Sequence, residues 1–155
     1  MGILTDIFHW NYILTVSVVG WLLAQVLKTV INCILIGRFE IERMWGDGGM
    51  PSAHSATVCA MVVAVARYSG TSSAIFGVAC VVAIITMHDA MGVRRETGEQ
   101  AKILNRMIQN WMYLGAQSAP ILADRKLKEM VGHTPIQVIS GAMLGLAVGF
   151  LFPMP

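Results

Sequence analysis

From Ile13 to Ile36 the chain is almost unbroken apolar sequence carrying one charge, Lys28, and a run of that length can cross a bilayer as a helix. Lipid offers no water to a backbone, so a spanning segment must satisfy its own N–H and C=O groups, as a helix does. Three more apolar runs follow, Met50 to Ala66, Gly70 to Met87 and Pro135 to Phe152. Each gives only about 25–27 Å of helix, short for a full crossing unless its ends open into a hydrated cleft. Arg67-Tyr68-Ser69 between the second and third runs leaves room for a tight turn alone, which predicts an antiparallel hairpin. With 55% hydrophobic and 13% charged residues and a mean hydropathy of +0.64, lipid is the solvent for most of the surface. The expectation is an all-α, polytopic membrane helical bundle of about four transmembrane helices, one domain over residues 1–155. The first run lacks a basic segment and a small-residue cleavage site, so it is expected to stay in the mature protein.

The net charge of +2, with no basic tract, argues against nucleic acid as a partner. Cys33, Cys59 and Cys80 sit within apolar runs without metal-ligand spacing, and read as buried, inert packing residues. Between the third and fourth runs, Leu104, Met107, Ile108 and Trp111 share one helical face of Glu99 to Leu114. Lys102, Arg106, Gln109 and Asn110 fall largely on the other. That pattern suits an amphipathic helix lying in the membrane interface, and equally a helix packed on its neighbours. Gly141, Gly145 and Gly149, four residues apart, leave a groove for a helix of the same bundle or of a second copy, so a homodimer is a possible assembly.

Four spans put both chain ends on one side and the polar motifs on the other. The motif face receives Arg38, Arg43, Gly48 to Ser55, His88 to Arg95 and Arg125 to His133. The opposite face receives little beyond Asp6, His9 and Arg67. Setting aside Lys28, Arg38, Arg94, Arg95 and Lys128 as possible anion ligands leaves Arg43, Lys102, Arg106, Arg125 and Lys126 against Arg67. The excess of positive charge points the motif face to the cytoplasm of a bacterial cell membrane.

Gly48-Gly49-Met50-Pro51-Ser52-Ala53-His54-Ser55 stands where an aqueous loop becomes a membrane helix. Gly49 lets a backbone approach an anion, Pro51 suits the first helical position, and the next N–H groups lack intrahelical partners. Ser52 and Ser55 add hydroxyls, and His54 can give or take a proton near neutral pH. The stretch forms a phosphate cradle with a proton donor beside it, and also suits a plain helix start with serine caps. His133 precedes Gln137 by one helical turn, so an imidazole and its orienting partner can meet. Lys28 lies about 12 Å of helix short of Ile36, too far for its side chain to reach the interface, so an anion or a buried carboxylate is its expected partner. Asp89 with Arg94 and Arg95 supplies an acid and two guanidiniums suited to phosphate, or a positive helix end capped at Gly92. His88 reads as structural.

These stretches, with Gly98, Gln100-Ala101, Leu104-Asn105 and Gly132-His133-Thr134-Pro135, resemble the divergent branch of the type 2 phosphatidic acid phosphatases. These are small membrane proteins related to acid phosphatases and vanadium-dependent haloperoxidases. The likeness runs in order from about Gln25 to Gly145. It implies phosphate contacts from Ser52, a general acid at His54, a nucleophile at His133 oriented by Gln137, and phosphate gripped by Lys28 and Arg38. Three positions depart from the wider superfamily: Gln137 stands for an aspartate, Ala53 for a glycine, and Leu127, flanked by Lys126 and Lys128, for an arginine. Arg94 and Arg95 can supply the guanidinium, and Asp89 the carboxylate.

The resemblance implies an integral membrane phosphatase that hydrolyses a lipid phosphate or pyrophosphate through a phosphohistidine. The alternative is a non-catalytic binder or transporter of a lipid or polyprenyl phosphate with a degenerate site. The substrate-binding set is Lys28, Gly49, Ser52, Arg94 and Arg95, and the catalytic set His133, His54, Gln137 and Asp89. No metal or other cofactor is required, and vanadate is expected as an inhibitor that mimics phosphate. Membrane lipids are the expected surroundings.

Overall fold

The computed structural model describes residues 11–37, 49–113, 127, 129 and 132–155. Its order is α1 (Tyr12–Ile36), α2 (Ala53–Ser69), α3 (Ala74–Met91), α4 (Val93–Tyr113) and α5 (Pro135–Leu151). The regular structure among the described residues is all helical, as the apolar runs require, and the helices form a membrane bundle. The stretches Tyr12–Ile34 and Ala74–Asn110 are long and apolar enough to cross a membrane, while α2 and α5 have 17 residues each.

Burial runs opposite to that of a water-soluble domain. Ala24, Ala53, Ala56, Ala60, Ala64, Ala79 and Ala83 are buried, whereas Leu22, Val26, Ile84, Ile85, Ile139, Met143 and Phe150 are exposed. Small residues at helix contacts with large apolar residues outside is how a bundle solvated by lipid packs.

The glycine stripe of α5 faces α2 within the same chain. A Cβ at Gly141 would strike the carbonyl oxygen of Ser52, one at Gly145 that of Ala56, and one at Gly149 the side chain of Val63. These contacts ascend both helices together, so α2 and α5 are parallel. The opposite sense holds for α1, where Gly20 meets Ala60 and Ala56 while Lys28 lies against Gly49. Tyr12 stacks near Tyr68 and Phe152 at the other end. Antiparallel packing of α3 on α2 brings Cys59 Sγ within 3.9 Å of Met87 Sδ. The described termini, Asn11 and Pro155, thus share one end of the bundle, and the motifs share the other.

Several boundaries differ from the sequence expectation. Pro51 precedes α2 rather than opening it, after a cis Met50–Pro51 bond. Ser52 takes the N-cap because its Oγ accepts from Ser55 N at 3.3 Å. Arg67, Tyr68 and Ser69 are helical, and the turn falls at Gly70 to Ser73, where Gly70 adopts φ +80°. Arg67 is not simply a surface charge: its Nη1 donates to the carbonyls of Gly149, Phe150 and Phe152 at 2.7, 3.1 and 2.7 Å. It thereby serves the unpaired end of α5.

The amphipathic helix begins at Val93, earlier than Glu99. Its buried positions are Gly98, Ala101 and Asn105, while Leu104 and Met107 are exposed. Of the cysteines only Cys59 is buried; Cys33 and Cys80 are half-buried thiols on helices with lipid-facing sides.

Candidate functional site

Three helix N-termini meet at the motif end. α2 starts at Ser52, buried completely, whose Oγ also accepts from Ser55 Oγ at 3.1 Å. α5 starts at Thr134, with Pro135 in its first turn and a reciprocal capping box. In that box Gln137 Oε1 accepts from Thr134 N at 3.0 Å. The two starts are joined directly by Ser52 N donating to Gln137 O at 2.9 Å. α4 opens one residue after α3 ends, at Gly92. His133 N donates to Ala90 O at 2.9 Å, which ties the approach to α5 to the last turn of α3.

This convergence brings His54 and His133 together from distant parts of the sequence. Their ring centroids lie 5.8 Å apart, edge to face at 63°. His54 occupies the first turn of α2 and is half-buried, while His133 is 3% exposed. Gln137 Oε1 lies 3.4 Å from His133 Nδ1, one helical turn away as the spacing predicts. In the tautomer with its proton on Nδ1, the ring donates to that oxygen and Nε2 is the basic nitrogen.

Gly132 is required on two counts. Its φ is +86°, and a Cβ there would collide with the backbone of Arg94 and Arg95. The peptide before His133 therefore rests on the first turn of α4. Arg94 and Arg95 belong to that turn rather than to the end of the third span. Cations at a helix N-terminus add to the positive pole instead of cancelling it, so this placement has no benefit for the helix itself and suits an anion.

Lys28 is 6% exposed, and its stem crosses Gly49, whose absent side chain leaves space for Lys28 Cγ and Cδ, 3.3 and 3.4 Å from where a Cβ would be. The lysine and the glycine cradle are thus neighbours. Asp89 is bound elsewhere than the sequence suggested. Its Oδ2 accepts from Arg94 Nε at 2.9 Å, so the acid holds a guanidinium rather than an imidazole or Lys28. The Ser52 hydroxyl oxygen caps α2, which leaves its own O–H as a donor. His88 is exposed on the last turn of α3.

Leu127, which stands where the wider superfamily has an arginine, is 40% exposed, and its backbone is bound by Asn105. Gly48, Arg38, Arg43, Arg125, Lys126 and Lys128 lie outside the described residues. Sequence reasoning assigned no role to Asn105, although a carboxamide among Gly98, Ala101 and apolar neighbours on one helix was the available signal.

A family model described as the divergent PAP2 family matches residues 9–148. The uncharacterized membrane protein YuiD of Bacillus subtilis (strain 168) is 39% identical over 142 residues, covering 88% of this chain and 90% of that protein. No solved structure matches. With helices that pack as a membrane bundle and motifs gathered at one end, the chain is a membrane protein belonging to the divergent PAP2 family.

Proposed function

We propose that this protein hydrolyses a lipid phosphate or pyrophosphate, with His133 as nucleophile and His54 as general acid and base. The observation that carries the reading is the 5.8 Å approach of the two imidazoles at the meeting of three helix N-termini. A phosphoryl group between them would be held by the starts of α2, α4 and α5, by Lys28 and by Arg94 and Arg95.

The His133 Nε2 lone pair attacks phosphorus and forms a P–N bond as the P–O bond to the lipid breaks. His54, protonated, gives its proton to the departing oxygen. The resulting phosphoimidazolium keeps its Nδ1–H on Gln137 Oε1, which stabilises it less than a carboxylate would. Water then attacks phosphorus, its proton passes to His54, and the P–N bond breaks to return His133 and release phosphate. Vanadate acts as an inhibitor because it adopts the five-coordinate geometry of the transfer. The motif face lies in the cytoplasm.

One observation favours the binder instead. Gln137 Oε1 is nearer Thr134 N, at 3.0 Å, than His133 Nδ1, at 3.4 Å, as a residue kept for helix capping would be. Purified protein assayed for phosphate release against a panel of lipid mono- and diphosphates separates the two. Turnover that vanishes in His133→Ala, with vanadate binding retained, is expected. Binding of those lipids without release from any of them would establish the binder.

A further inference from the structure

Asn105 sits about three helical turns beyond Arg94 on α4 and is 6% exposed. Its carboxamide treats Leu127 as a neighbouring β-strand would. Nδ2 donates to Leu127 O at 2.9 Å, and Oδ1 accepts from Leu127 N at 3.0 Å. The second Nδ2 proton goes to Glu129 Oε1 at 2.7 Å. Both hydrogens and one lone pair of a buried amide are thus committed to two residues that shortly precede His133.

α4 holds the same approach at a second point, where Gly132 rests on the backbone of Arg94 and Arg95. The third fastening is the His133 N to Ala90 O bond. Of the described residues ahead of α5, Leu127 and Glu129 are therefore held by Asn105, and Gly132 and His133 by the α3–α4 junction. We propose that Asn105 is a positioning residue for His133, setting the distance and angle of its imidazole to His54 without touching the reacting atoms. The inference rests on His133 being the nucleophile.

Only a carboxamide both gives and accepts from one plane at this size. Aspartate can accept alone, and leucine can do neither. Asn105→Asp would face Leu127 O and the Glu129 carboxylate with another acceptor. Adding Glu129→Gln returns a donor across the second contact.

The test uses the full-length protein in lipid nanodiscs, with hydrolysis of a lipid phosphate and the imidazole ¹⁵N resonances of His133 as independent readouts. Asn105→Asp should lower kcat on the order of 10²-fold, with little change in KM, because displacement of a reacting group by about 1 Å has that effect. The His133 resonances should move, and the double variant should recover both readouts in part. Melting that falls while kcat and the His133 resonances stay at wild type would overturn the proposal, as would a double variant no better than the single one. If Asn105→Asp does not fold, Glu129→Ala removes one of the three bonds. It should change both readouts in the same direction and less, and no change in either overturns the inference. Should the wild-type protein release no phosphate, the hydrolytic reading fails by itself, and the His133 resonances alone decide the role of Asn105.

Discussion

Replacing Gly141 with alanine places a methyl group where α5 meets the start of α2. The new Cβ would stand 3.0 Å from both the carbonyl carbon and the nitrogen of Ser52, and closer still to its oxygen. Ordinary contact begins near 3.4 Å, and the obstacle is backbone rather than a side chain that can swing away. The helices must part by roughly 1 Å at this level to relieve the clash. Overpacking of this kind costs about 1–3 kcal/mol. The same movement stretches the Ser52 N to Gln137 O bond, now 2.9 Å, which is worth about 1 kcal/mol. Together these cost about 2–4 kcal/mol, of which alanine's better helix propensity offsets up to about 1 kcal/mol. The net destabilisation is about 1–3 kcal/mol, or a drop in Tm of about 3–12 °C for a chain of this size. Gly77, on α3, has no atom within 4 Å of where its Cβ would be, so Gly77→Ala is the matched control. It should gain up to about 1 kcal/mol from helix propensity. Thermal unfolding in a single detergent compares them. Equal melting of Gly141→Ala and Gly77→Ala would refute the packing of the stripe on α2.

Arg67→Gln should lower stability by about 2–3 kcal/mol, because three carbonyls at the end of α5 lose their donor. Arg67→Lys, which still offers one nitrogen with three protons, should retain part of it, and wild-type melting of the glutamine variant would show that the bonds contribute nothing. Asp89→Asn should tighten vanadate binding measured by calorimetry, since it releases Arg94 from its ion pair. Both side chains of that pair are about two-fifths exposed, so the stability cost should stay under about 1 kcal/mol. Weaker vanadate binding would instead mean that Asp89 holds Arg94 where the anion needs it.

The parts legible in the sequence were those set by local pattern. Four apolar runs became four helices, because a segment in lipid has few other ways to satisfy its backbone. His133 and Gln137 met because four residues make one turn. Lys28 came to Gly49 because the topology left it nowhere else to go in an apolar helix. What the sequence hid were outcomes of competition between partners. Pro51 looked like a helix opener, but Ser52 had the oxygen to cap with. Asp89 had more than one cation within reach, and Arg94, five residues ahead beyond the helix break at Gly92, took it. Leu104 and Met107 marked the apolar face of α4 and left open whether lipid or a neighbouring helix covers it; both are exposed, while Gly98, Ala101 and Asn105 are buried. Hydrophobicity does not distinguish a lipid-facing side from a packed one, and size does.

The two parallel helices also have a mechanical consequence. α2 and α5 are riveted at the motif end by Ser52 and Gln137 and at the far end by Arg67, and between them the backbone of Ser52 and Ala56 and the side chain of Val63 sit in three glycine notches. Sliding one along the other would break both rivets and ride backbone over Cβ atoms, so the pair is a stiff spine. Among the described residues, α3 buries Ala79, Ala83 and Ala90, packs on α2 through Ala83 and Met87, and meets the approach to α5 through Ala90 O. It is the leaf hung on that spine, with α4 attached to its end. A swing of that leaf would carry Arg94 and Arg95 outward only by breaking the bond from His133 N to Ala90 O, while the two helix starts on the spine keep their register.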